Sequence, residues 1–156
     1  KNGFKLTGWA NSKKDIDGLE SYAGDKELDS FLATAEILVC LLPLTEKTKD
    51  ILNDTLFNKL PENAYLINVA RGGHLVDNDL IKVLKEGHLS GAALDVFHTE
   101  PLPENSPLWK NEKILITPHT ASKSDPASIA HQIVENYKRL EKGEELKNTI
   151  SRDKNY

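Results

Sequence analysis

The chain has a single cysteine, no long apolar run, no excess of positive charge, no internal repeat and no low-complexity segment. Each absence closes off a class. Cys40 cannot form an internal disulfide and has no second cysteine with which to share a metal, so it reads as a small core residue, in keeping with a reducing compartment. The longest apolar stretch, Ile37 to Pro43, is far too short to span a bilayer. No signal-peptide pattern stands at the start. The expectation is a cytoplasmic protein without a membrane partner. The 20 basic and 24 acidic residues are well mixed, with a net charge of −4. No basic stripe suits nucleic acid, although the local pair Lys13-Lys14 could hold a phosphate. No set of metal ligands is expected.

What is present describes a globular domain of 156 residues, 38% apolar and 28% charged. Phe4 to Trp9 alternates apolar and polar residues and predicts a strand. Asp25 is the expected cap of a helix from Lys26 to Ala33. Glu36 to Leu42 is apolar nearly throughout and predicts a central strand, ended by Pro43. Asp54 should cap a short helix ending near Leu60, and Ala64 to Val69 should form the next strand. Asp77 should cap a helix with Leu80, Ile81 and Leu84 on one face, closed by Gly87. Gly91 to Phe97 and Lys113 to Thr117 are two more strands, joined by a proline-rich loop that should be ordered. Asp125 and Pro126 open a long helix with Ile129, Ile133, Tyr137 and Leu140 on one face, ended by Gly143. Strands alternating with helices predict an α/β fold, a doubly wound parallel sheet.

Three strands end in chemistry. Ala64 to Val69 runs into Ala70, Arg71 and two glycines; Gly91 to Phe97 runs into Glu100-Pro101; Lys113 to Thr117 runs into Pro118-His119. Strand carboxyl ends are where ligands dock in such sheets. Reduction of a 2-keto acid needs a fixed cation for the carboxylate, a proton donor at the carbonyl oxygen and a group that orients that donor. Arg71 offers a two-pronged fork that matches a carboxylate. His119 is a natural donor near neutral pH, and Glu100 can fix its ring. The hydride must come from a cofactor, since no side chain supplies one. Of the other histidines, His74, His88 and His131 read as solvated, and His98, two residues from Glu100, is not counted in the site. Trp109 is either a lid or a loop anchor.

These stretches resemble a known family. Ile67-Asn-Val-Ala-Arg-Gly-Gly73, Gly91 to Phe97 with Glu100-Pro101, and Thr117-Pro-His-Thr-Ala121 are similar, in order and spacing, to three signatures of the D-isomer-specific 2-hydroxyacid dehydrogenases. Leu42-Pro-Leu-Thr45 with Thr48 resembles their cofactor-side loop. Pro101-Leu-Pro, Ser106-Pro-Leu-Trp109 and Tyr156 look most like the glyoxylate/hydroxypyruvate reductase A branch. The resemblance implies a Rossmann-like NAD(P)-binding domain, with Arg71 as carboxylate clamp, His119 as acid/base and Glu100 as its partner. It implies cofactor contacts at Leu42, Pro43, Val69, Ala70, Arg71, Asp95 and His119. It also implies a small 2-keto or 2-hydroxy acid substrate and a homodimer of the full-length protein. The turn after Trp9 carries Asn11, Ser12, Lys13 and Lys14 where an NAD site places a carboxylate. NADP(H) is therefore expected over NAD(H), which remains possible, with Asn11, Ser12 and Lys13 at the 2′-phosphate.

The family's Gly-x-Gly-x-x-Gly turn is not in this sequence. The expectation is a sheet without its first strand, from the carboxyl-terminal part of a dehydrogenase. Residues 1–122 would be cofactor domain and 123–156 a helix and tail returning toward a substrate domain. Two open edges, Phe4–Trp9 and Ala64–Val69, would then flank the gap. Competing readings are a non-catalytic dinucleotide sensor or partner-binding protein, and a dehydrogenase for a bulkier D-2-hydroxy acid.

Overall fold

A computed structural model describes residues 3–122 and 125–150. The final Tyr156 lies outside them. The chain forms two compact units, residues 1–118 and 119–156.

In the first unit, β1 (Leu6–Ala10) pairs in parallel with β2 (Leu19–Ala23). A second, four-stranded parallel sheet holds β3 (Ile37–Cys40), β4 (Ala64–Asn68), β5 (Leu89–Leu94) and β6 (Ile114–Ile116), in that spatial order. The connections carry α1 (Gly24–Leu32), α2 (Asp54–Phe57) and α3 (Asp77–Glu86). Leu32, Leu38, Cys40, Phe57, Leu66, Leu80, Val83, Leu84, Ala92 and Leu94 belong to one buried cluster between helices and sheet. Such burial, at roughly 25 cal/mol per Å² of apolar surface, is the main favourable term of the fold. The apolar residues of α3 fall at helical spacing, with Ile81 half-buried beside them. Gly87, at φ 83°, takes the left-handed closing position that other residues resist.

Several expectations are corrected. Strand β2 was not anticipated. Asp25, Asp54 and Asp77 lie in the first turns of their helices rather than at the caps. The cap before α2 is Asn53, whose side chain accepts from the Leu56 N–H at 3.0 Å. The Glu27 carboxylate reaches back to the Ala23 N–H before α1, at 2.7 Å. Among the described residues β3 is an edge strand, not a central one: Leu38 and Cys40 are buried while Ile37 and Val39 are 47% and 44% exposed. The Ala64–Val69 segment is not an edge, because β4 pairs on both sides. Among the described residues the edge strands are β1 and β2 in the first sheet and β3 and β6 in the second.

The second unit holds α4 (Pro126–Glu141). The Asp125 carboxylate accepts from the Ala127 N–H at 3.3 Å, and Gly143 at φ 67° follows the helix. Its stripe of Ile129, Ile133, Tyr137 and Leu140 is exposed.

Candidate active site

The apolar strand β4 delivers a buried asparagine to its end. Asn68 is fully buried; its Oδ1 accepts from the Ala70 N–H and its Nδ2 donates to the Arg71 carbonyl, each at 3.2 Å. Arg71 itself is extended, at φ −144° and ψ 148°, and starts a short 3-10 turn over Gly72–His74. Its exposed guanidinium donates through Nη1 to the Ala70 carbonyl at 2.6 Å. His74 is buried, not solvated as its glycine neighbours suggested. The turn is tied to the segment before α2, where the Leu52 N–H donates to the His74 carbonyl at 2.8 Å and the Asp50 N–H to the Gly73 carbonyl at 3.0 Å.

The loop after β5 lies directly against this turn. A Cβ on Gly72 would fall 2.0 Å from the Phe97 carbonyl carbon and 2.4 Å from the His98 nitrogen, so only glycine fits. The His98 Nε2 donates to the Leu75 carbonyl at 2.6 Å, crossing the same junction. Two residues after His98, the Glu100 carboxylate accepts from the Phe97 N–H at 2.9 Å. The structure thus interlocks the turn that carries Arg71 with the loop that carries Glu100. Asp95 is buried; its N–H donates to the Asn68 carbonyl at 3.0 Å and its carboxylate accepts from the Thr117 hydroxyl. Burial pushes the nearby Asp77 carboxyl up, against the opposing pull of His98.

His119 opens the second unit, exposed and at φ 52°. Past the end of β3, the Thr48 hydroxyl donates to the Pro43 carbonyl at 2.6 Å, which folds the Leu42–Pro43 loop. Past β1, Asn11, Ser12 and Lys13 are exposed, and the Lys14 N–H donates to the Ser21 hydroxyl at 2.9 Å. Trp109 anchors its loop through its indole N–H, which donates to the Pro103 carbonyl at 3.0 Å. The half-buried His88 holds the Phe57 carbonyl at 2.8 Å, whereas His131 is exposed. Sequence reasoning missed Asn68, Gly72 and His74 as parts of this site. The close glycine pair was the one available signal.

Comparison with known proteins identifies the family. The family model described as D-isomer specific 2-hydroxyacid dehydrogenase, NAD binding domain, matches residues 1–121. The chain is 46% identical over 154 residues to the glyoxylate/hydroxypyruvate reductase A of Escherichia fergusonii, covering 99% of this chain and 49% of that protein. It thus spans about half the length of that curated relative. A D-isomer specific 2-hydroxyacid dehydrogenase from Xanthobacter autotrophicus Py2, solved with NADPH and MES, superimposes with a TM-score of 0.94 at 43% identity, over 99% of this chain and 64% of that one. The NADPH-dependent glyoxylate/hydroxypyruvate reductase of Sinorhizobium meliloti, solved with NADP and sulfate, gives a TM-score of 0.94 at 39% identity, over 99% and 50%.

Proposed function

This chain belongs to the D-isomer specific 2-hydroxyacid dehydrogenase family, and from that premise we propose that it is the cofactor-binding part of an NADPH-dependent reductase of small 2-keto acids such as glyoxylate or hydroxypyruvate. Its parallel sheets with flanking helices form a Rossmann-like NAD-binding domain. The complete reductase, meaning this chain with the remaining length its relatives have, would be a cytoplasmic homodimer. In a strand order of 3-2-1-4-5-6 the first strand sits in the middle, and in the complete reductase it would pair with the open edges of β1 and β3.

The residues present suit the two ends of the cofactor. At one end the exposed turn Asn11–Lys13 offers hydrogen-bond donors and a cation to a 2′-phosphate, and Lys14 is fixed behind it by Ser21. At the other, Leu42, Pro43, Val69, Ala70 and Arg71 line two strand ends, and Asp95 is held rigidly to receive a nicotinamide amide. When bound, NADPH supplies the hydride. Arg71 holds the substrate carboxylate by its fork. His119 donates the proton to the carbonyl oxygen, and Glu100 orients the imidazole. The interlock between the Arg71 turn and the Glu100 loop at Gly72 carries this reading. In the complete reductase, His119→Gln should lower kcat for glyoxylate by about 10²–10⁴-fold while NADPH still binds. A wild-type enzyme that binds NADPH but turns over no 2-keto acid would instead be a dinucleotide sensor.

A further inference from the structure

We propose that His74 and Asn68 are positioning residues for the carboxylate clamp: together they hold the Arg71 peptide and so aim the guanidinium. The inference rests on the reading of Arg71 as the clamp. A 3-10 turn needs only one hydrogen bond to the carbonyl that starts it, here from the His74 N–H to the Arg71 oxygen at 3.2 Å. That oxygen receives two more donors, the Asn68 Nδ2 at 3.2 Å and the His74 Nδ1 at 3.0 Å. A carbonyl oxygen has two lone pairs, so three donors are more than closing the turn requires.

Because a carbonyl can only accept, the proton of the His74 ring lies on Nδ1. The other ring nitrogen, Nε2, is buried without a hydrogen-bond partner among the described residues. Leaving a polar atom in that condition is unfavourable, and a phenyl ring would fill the space without it. The histidine is explained by what Nδ1 does at Arg71. Asn68 completes the bracket, since its Oδ1 takes the Ala70 N–H on one side while its Nδ2 holds the Arg71 carbonyl on the other. The Cα–Cβ direction of Arg71 is thereby set by a buried frame, although its charged end lies at the surface. Small misplacements of a substrate-positioning group are costly to turnover.

The test is a double-mutant cycle in the complete reductase. His74→Phe should lower kcat/KM for the 2-keto acid by about 10–100-fold, mostly through KM, with KM for NADPH within about twofold. In the Arg71→Ala background the same substitution should change kcat/KM by less than about twofold. His74→Asn, which returns a donor near the Nδ1 position, should recover most of the loss. Should His74→Phe not accumulate as folded protein, Asn68→Leu gives a second cycle in which the same non-additivity is expected. Equal losses with and without Arg71 would overturn the proposal, because the ring would then act on the fold at large, and would leave the clamp reading intact. An Arg71→Ala enzyme with wild-type kcat/KM would overturn both.

Discussion

The turn after β4 and the turn after β1 each follow the carboxyl end of a parallel strand, but they are built differently. The first is buried at Asn68, Gly72 and His74, pressed against the Phe97 backbone and stitched to it by His98. The second exposes Asn11, Ser12 and Lys13, and rests on a bond from the Lys14 N–H to Ser21. The difference matches what each is proposed to recognise. A guanidinium fork must meet a planar carboxylate in both direction and distance, so its backbone has to be preorganised. A lysine attracts a phosphate as a point charge, with little demand on direction.

The sharpest way to break this contrast is Gly72→Ala. The added methyl overlaps the Phe97 carbonyl, so the two loops must part. A loss of about 1–3 kcal/mol in unfolding free energy is expected, measured by denaturant titration, together with a fall in turnover. Wild-type stability would mean that the junction is not tightly packed. The exposed turn should respond more mildly and in cofactor choice alone. Lys13→Glu should reduce the preference for NADPH over NADH by roughly tenfold, a change worth about 1.4 kcal/mol, and leave kcat with NADH nearly unaltered. The effect should shrink with added salt; a salt-independent change would argue against a direct charge contact.

The smallest expected effect concerns Asp77, at the exit of the braced turn. Burial raises its carboxyl pKa in the folded chain. Between the ordinary carboxyl value and the raised one, the folded state keeps a proton that the unfolded state has released. Stability therefore falls as pH rises through that window. Asp77→Asn should flatten this part of the stability–pH curve, and an unchanged slope would remove Asp77 as its source.

Strand ends were legible in the sequence because an apolar run that stops at a charge leaves a local signature. Arg71, Glu100 and His119 were singled out in that way, and Asp95 by the family resemblance. Contacts between distant segments leave no such signature. His74 was read as solvated because it follows two glycines, yet the turn folds inward onto Leu52. Strand β2, Leu-Glu-Ser-Tyr-Ala, has too few large apolar residues to announce itself. The caps were misplaced by a residue or more because acidic side chains are favoured throughout the positive first turn of a helix, not only at the cap. The unbroken apolar run of β3 suggested burial on both faces, but Ile37 and Val39 are uncovered.

Whether the braced turn presents Arg71 to a substrate carboxylate can be measured by calorimetric titration of a non-reactive carboxylate analogue of the 2-keto acid into the NADPH-loaded complete reductase, with and without Arg71→Ala. The substitution should weaken analogue binding by about 2–4 kcal/mol, roughly 30–1,000-fold, and leave NADPH affinity within about twofold. Analogue affinity unchanged by the loss of Arg71 would contradict the clamp role.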